Sequence, residues 1–451
     1  MENRGSDDDE NGNGCPCPVK LCDCLEELVR FTLNSNSHHL NLSSQFFSNL
    51  LKDDATHPSS SHSLSQPNDS LEGVPPYPLY KRFSSALLKC MDSETFCRTG
   101  ANLAMTDEFE DSSMQQKRNE WHRLIVEKGF EIENILKSVS FEFHVQEPFF
   151  SQLNDGLKTI EGRCATGKYN RIKSGNLILF NKSVVFEVQG VRRYPTFFAM
   201  LEAESLGKVL PGVESSEEGT KYPDYRQRSG MSLHSYTNSH SESVKVYQRF
   251  CTEEKEQANG VLAIVVSKFT PQPYDSLARL FCELSYEGVQ SLLGLMHTTG
   301  TIPNALPPPI STLLASFNFP CNPNENGLTD GARALAKHAC RSSSGYWGSL
   351  NGNDSNKNRL AMDVINRLIS HCCWLNVYTV PPHGVVFEIR VANGYGARWT
   401  EDGSKVCGYP LNSGIYLLPL QVYAWYAVLS CLFIGFLEPY MQDGHSKRWK
   451  H

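Results

Sequence analysis

At Phe141 the apolar residues stop recurring at helical spacing and begin to alternate, and this change constrains the chain more than any other feature. Upstream, residues 115–139 place Trp121, Leu124, Ile125, Ile132, Ile135 and Leu136 on one stripe, the pattern of a single long amphipathic helix. Downstream, FEFHVQEP reads as a β-type run, PFFSQLNDG as a short helix closed by Gly156, and KTIEGRCA as a second strand. NLILFN and VVFEVQGV follow as strands, TFFAMLEAESL as a helix and GVLAIVVSKF as a last strand. Short strands with interleaved helices predict a compact mixed β-barrel over 141–270.

The flanks read differently. Residues 1–17 form an acidic polar tail with neither a basic nor an apolar leader segment, which argues against secretion. Residues 18–140 read as a helical region interrupted by a Ser/Pro/His-rich linker at 56–78. Within the barrel, 220–243 reads as an inserted loop rich in Ser, Tyr and His. Residues 284–451 resume helical patterning around 286–296, 329–341 and 356–374, then give the strand pair WLNVYTV and GVVFEIRV across PPHG. The whole is therefore expected to be α+β: a helical N-terminal region, a mixed barrel and a C-terminal α+β domain.

Residues 415–437 carry no charge and are long enough to cross a bilayer. The text around 406–432 reads smoothly without it, since TEDGSK joined to FIGFLEP makes a turn and a strand. The expectation is a transcript-derived insertion, with a membrane helix as the competing reading and membrane association disfavoured. The fifteen cysteines follow no regular framework and read as reduced thiols of the nucleus or cytoplasm. Cys15, Cys17, Cys22 and Cys24 are too closely spaced within each pair for an ordinary zinc site, so no metal and no cofactor is expected.

A net charge of -7 excludes a global electrostatic grip on nucleic acid. The local balance is opposite. Residues 156–195 hold eight basic side chains (Lys158, Arg163, Lys168, Arg171, Lys173, Lys182, Arg192 and Arg193) against Glu161 and Glu187, a net of +6. Lysines and arginines so gathered can release counterions and bind phosphate, and Tyr169, Tyr194, Phe197 and Phe198 could stack bases. On a strand, Glu161 and Arg163 share a face, whereas Lys158 lies on the other and can swing into a cleft mouth.

The octapeptide Gly156-Leu157-Lys158-Thr159-Ile160-Glu161-Gly162-Arg163 fits GxKxxExR, and in this strand and helix order it resembles the activating signal cointegrator homology (ASCH) domain. That family is similar in fold to the PUA RNA-binding barrel. The resemblance implies RNA or nucleotide binding, in transcription coregulation or RNA metabolism. It makes Lys158, Glu161, Arg163, Lys168, Tyr169, Arg171, Lys173, Arg192 and Arg193 the candidate binding residues. Some members of the family hydrolyse acetylated cytidine with a Lys and a Thr three residues later. Here that third position is Glu161, so the hydrolase alternative would use Lys158 and Glu161, and the residue pattern weighs against catalysis. A third alternative is a scaffold whose terminal regions bind proteins.

In the C-terminal region, Glu388 and Arg390 alternate with apolar residues and point the same way. Gly394 and Gly396 permit close backbone approach, and Arg398 and Trp399 are available to a ligand. Arg333, Lys337, His338 and Arg341 form a partly basic helical face. A structural polar network is the expected reading there, with a second RNA surface as the alternative.

Overall fold

The structure, a computed structural model, describes residues 19–35, 41–54, 72–96, 112–212, 244, 246–247, 250–320, 327–341, 345–381, 384–400 and 432–439. The expectations for residues 1–17, for 220–243 and for the 406–432 insertion, except Leu432, and most of the 56–78 linker, lie outside these residues. Helices α1 (Leu21–Ser35), α2 (Ser44–Leu51), α3 (Leu79–Asp92) and α4 (Ser112–Lys137) come first. Then follow β1 (Val139–Phe143), α5 (Phe149–Asn154), β2 (Ile160–Cys164), a 3-10 turn (Gly167–Arg171), β3 (Leu177–Phe180) and β4 (Val184–Tyr194). Next are α6 (Phe197–Ala203), α7 (Leu206–Val209), α8 (Glu253–Asn259), β5 (Val261–Lys268), α9 (Pro273–Leu292), α10 (Ile310–Phe317), α11 (Asp330–Arg341) and α12 (Asp354–His371). Strands β6 (Trp374–Val380), β7 (Gly384–Arg390), β8 (Gly396–Thr400) and β9 (Leu432–Leu437) close the chain. The chain divides into two compact units, Met1–Thr32 with Gly129–Leu277 and Leu33–Lys128 with Ala278–His451. The fold is of the mixed α+β class that the sequence predicts.

The first unit is built on a five-stranded sheet of order β1-β3-β4-β5-β2. Strands β1 and β3 are parallel, and every other pairing is antiparallel. Strand β5 is apolar on both faces because both are covered. Leu262, Ile264 and Val266 pack with Phe180, Phe186 and Val188, whereas Val261 and Ala263 pack with Phe197, Met200, Leu201 and Val209. Side-chain caps start the helices near the sheet: Thr196 accepts from Ala199 N before α6, and Thr252 from Lys255 N before α8. The edge strands β1 and β2 are bridged by Arg163. Its Nη2 donates to His144 O at 2.8 Å, and its guanidinium lies 4.8 Å from the centre of the Phe143 ring. The sheet is thereby rolled toward the PUA-like barrel expected from its element order.

The second unit holds the antiparallel sheet β6-β7-β8-β9. Leu375, Val377, Phe387, Ile389, Ala397, Trp399 and Phe436 are buried on one of its faces, the face on which helices α10, α11 and α12 pack. Strand β9 confirms that FIGFL is a strand beside β8, with Thr400 opposite Leu432. Gly396 is required here, since a Cβ would come within 2.1 Å of the Ile389 carbonyl oxygen on β7. Among the described residues, no helix is long and apolar enough to cross a membrane.

Candidate nucleic-acid interface

The octapeptide's charged side chains come together, but not as an open cleft. Lys158 precedes β2 rather than lying in it, so strand alternation does not govern its direction. Its side chain turns inward and is only 2% exposed. Its ammonium donates to Ile160 O at 2.8 Å and to Val209 O, and it lies 3.1 Å from Glu161 Oε2. Burial pushes its pKa below the ordinary lysine range, with Glu161 opposing that shift. The expectation that Lys158 swings into a cleft mouth is therefore corrected, because a loop ahead of the strand lets the chain fold it back inside.

Glu161 and Arg163 do share a face, and Arg163 Nε lies 3.1 Å from Glu161 Oε1. Glu161 is 8% exposed and Arg163 20%. Gly162, on the opposite face, leaves room for α6 and its surroundings: a Cβ would come within 2.9 Å of both Met200 and Tyr247. The Tyr247 hydroxyl is buried with no hydrogen-bond partner among the described residues, and burial with Glu161 nearby pushes its pKa well above the usual tyrosine range.

The open cationic surface lies beside this buried cluster. Across β5, Arg163 and Arg193 both pair in register with Leu262, so the two arginines flank one residue on one face of the sheet. Arg193 donates to Asn170 Oδ1, and Asn170 in turn donates to Ala165 O, which docks the 3-10 turn against the end of the sheet. On that turn Tyr169 packs edge-on against Phe143 at 5.4 Å, and Lys168 lies 5.7 Å above the Tyr169 ring. Lys168, Arg171, Lys173 and Arg193 are exposed. The corner is thus a half-buried Tyr169 set against the buried Phe143 ring, with Lys168 and Arg163 on the two rings and Arg193 docked beside them through Asn170.

The remaining candidates separate from it. Arg192 neighbours Arg193 in sequence and so faces the other side, where Glu204 neutralises it and also accepts from Tyr194. Glu204 is held below the usual carboxylate range, first by its hydrogen bond from Arg192. Lys182 donates to Asp23 O. Phe197 is core, stacked on Tyr247 at 4.5 Å, while Phe198 is exposed. The +6 of the sequence is therefore not one rim: part is buried, part is neutralised and part converges.

The C-terminal sheet carries a second cluster on the face opposite its apolar core. The registers Asn376↔Glu388 and Glu388↔Arg398 put these three residues side by side, with Trp374 opposite Arg390. Glu388 is 1% exposed and accepts from Tyr378 OH at 2.7 Å, Arg390 Nε at 2.6 Å and Arg398 Nε at 2.8 Å. Burial, then Glu388, pushes Tyr378 up to about 12. Asn376 is committed to Thr298 and Thr301. Trp399, adjacent to Arg398, faces the other way and is core, with its indole donating to Leu313 O at 3.3 Å; it is not available to a ligand. His338 faces Glu438 at 3.4 Å within an aromatic cluster of Trp347 and Phe436, and so is turned away from the basic face read on α11. Among the described residues no cluster of metal-ligating side chains occurs; Cys22 and Cys24 lie on α1, one exposed and one buried.

Residues 143–269 match the family described as the ASCH domain. The chain belongs to the ASCH-domain family. Two solved structures similar to it are hypothetical protein PH0355 and protein PF0455 from Pyrococcus furiosus. Both are 33% identical and cover 29% of this chain; the matches span 98% and 97% of those chains, with TM-scores of 0.23 and 0.22. Residues 318–409, which include β6, β7 and β8, match the family described as the CdiA C-terminal tRNase toxin domain. No curated protein matches the chain. The ASCH domain indicates RNA binding; Lys158 and Glu161 are buried in its frame, whereas Arg163 reaches its surface in part. Asn170, which anchors Arg193, and Tyr378, which completes the Glu388 cluster, are not among the residues the sequence points to. The alternation of WLNVYTV could have placed Tyr378 and Asn376 on one face, but only the strand register brings them to Glu388.

Proposed function

We propose that the protein is an RNA-metabolism factor that engages RNA through the basic corner of its ASCH domain. The observation that supports this reading most is the convergence of Arg163, Arg193 and Lys168 around Phe143 and Tyr169. Exposed cations hold phosphates, and the half-buried Tyr169 ring can stack with an unpaired base. Filter binding of single-stranded RNA to the full-length protein tests it. Binding should weaken with salt and fall about tenfold in Lys168→Gln/Arg193→Gln, as two lost phosphate contacts require. Salt-independent retention, or indifference to the double substitution, overturns it. A coregulator role and a nuclear or cytoplasmic location are finer parts of the same proposal, tested by imaging the tagged full-length protein.

A second reading, that the C-terminal unit cleaves RNA, is favoured by the match of 318–409 to a tRNase toxin domain. Incubation of the full-length protein with bulk transfer RNA tests it, and intact RNA at high enzyme excess would overturn it. The hydrolase reading built on Lys158 gains a desolvated lysine but loses access, since that ammonium is committed to two carbonyls and Glu161.

A further inference from the structure

We infer that the polar face of the β6–β8 sheet is a clamp for an RNA phosphodiester. Arg390 and Arg398 are its phosphate-binding groups, and Glu388 is the positioning residue that sets them side by side. The inference deepens the reading of the C-terminal unit as RNA-cleaving and rests on it for the identity of the polymer. The geometry itself requires only an anion.

Two guanidiniums share one carboxylate on this face, so one positive charge is unbalanced. Arg390 is 28% exposed and Arg398 12%, so solvent shields that charge only in part. A partly desolvated cation in excess favours an anionic partner.

Donor accounting gives the direction. Glu388 takes the Nε–H of both arginines, together with Nη2 of Arg398. Arg390 Nη1 donates to Gly394 O at 2.9 Å. Arg390 Nη2 and Arg398 Nη1 have no such commitment among the described residues. Glu388 thus holds Arg398 along its Nε–Nη2 edge, while Arg390 is held by Glu388 at Nε and by Gly394 O and Glu438 O at Nη1, and each guanidinium keeps one amino group in a fixed plane for phosphate oxygens. Glu388 accepts four hydrogen bonds, three at Oε2 and one at Oε1, and so serves as the holder of the two guanidiniums.

The surroundings suit a nucleic-acid strand. The floor beside Glu388 is neutral, because Asn376 is tied to Thr298 and Thr301 and Thr400 is buried. Trp374 stands directly across from Arg390 and packs edge-on with Tyr378 at 6.1 Å. Both rings are half-buried. Such a pair gives the bases flanking a held phosphate a surface to stack on.

The test uses full-length protein with bulk transfer RNA, read for filter retention over a salt series and for cleavage on gels. The variants are Arg398→Lys, Arg390→Gln and Glu388→Gln, each made with the ASCH corner intact and in the Lys168→Gln/Arg193→Gln background. Arg398→Lys keeps the charge and a bond to Glu388, so it preserves the fold while removing the fork. It should weaken retention in the corner-depleted background, or lower turnover, about tenfold. Arg390→Gln should also reduce the slope of log K against log salt by roughly 0.7 to 0.9. Glu388→Gln should act like the arginine variants without shifting a pH–rate profile, as befits a positioning residue.

If the wild type cleaves transfer RNA and the folded variants cleave it equally, the clamp is overturned while the nuclease reading stands. If retention depends on the arginines but nothing is cleaved, the clamp stands and the nuclease reading falls. Inorganic phosphate that binds with arginine dependence while RNA does not overturns the assignment to a polymer.

Discussion

The ASCH domain and the C-terminal sheet each hold one buried carboxylate between two cations, and they put that motif to opposite uses. In the ASCH domain, Glu161 meets Lys158 and Arg163. The lysine spends its donors on Ile160 O and Val209 O, and Arg163 spends one on His144 O across the rolled sheet. In the C-terminal sheet, Glu388 meets Arg390 and Arg398, and guanidinium donors remain that the described residues do not take up. Composition is nearly the same in the two clusters. What separates a staple from a receptor is where the remaining N–H groups point.

The comparison breaks most readily through stability. Glu161→Gln strands a buried ammonium and should cost the ASCH domain about 3–5 kcal/mol. Glu388→Gln frees two arginines that can reach water and should cost only about 1–3 kcal/mol. Denaturant unfolding combined with hydrogen exchange resolved by strand measures both, and equal losses would erase the distinction. Gly162→Ala comes next. Its Cβ would press on Met200 and on Tyr247, which is stacked on Phe197, so a loss of about 1–3 kcal/mol is expected in the same measurement.

A third expectation sharpens the C-terminal side by pH. Tyr378 is raised from 10.0 to about 12 by burial and by Glu388. Above pH 10 the phenol of the unfolded chain ionises while the folded one stays neutral. The stability that Tyr378 contributes is therefore complete below pH 10 and lost as the pH rises toward 12. Tyr378→Phe should flatten that fall in a pH series of thermal melts of the second unit. An unchanged pH dependence would mean that Tyr378 is not held by Glu388. The smallest effect is expected at the ASCH corner. Lys168→Gln alone should weaken RNA retention a few-fold and lower the salt slope by roughly 0.7 to 0.9, leaving melting unchanged.

These contrasts also show how far the sequence could be read. The strands were legible from short apolar and β-branched runs bounded by turns, and the Glu161–Arg163 pair from alternation, because residues two apart in a strand share a face. The direction of Lys158 was not legible, since it precedes the strand and its partner Val209 lies far along the chain. The basic stretch misled for a local reason. Arg192 and Arg193 are consecutive, so the sheet sends them to opposite faces, and only Arg193 joins Arg163 beside Leu262. The same rule placed Glu388 and Arg390 together correctly. Applied to Arg398 and Trp399, it would have sent the tryptophan to the core. The register that brings Arg398 beside Glu388 depends on strand pairing across Gly396, which no local pattern reports.

The central claim is that RNA meets this protein where cationic donors stay open, and not at the sealed Lys158 cluster. Ultraviolet cross-linking of RNA to the full-length protein, followed by mass mapping of the adducted peptides, tests it directly. The account predicts adducts at Tyr169 on the ASCH corner and at Trp374 or Tyr378 on the C-terminal sheet. Adducts found around Lys158, or on neither of the two surfaces, would contradict it.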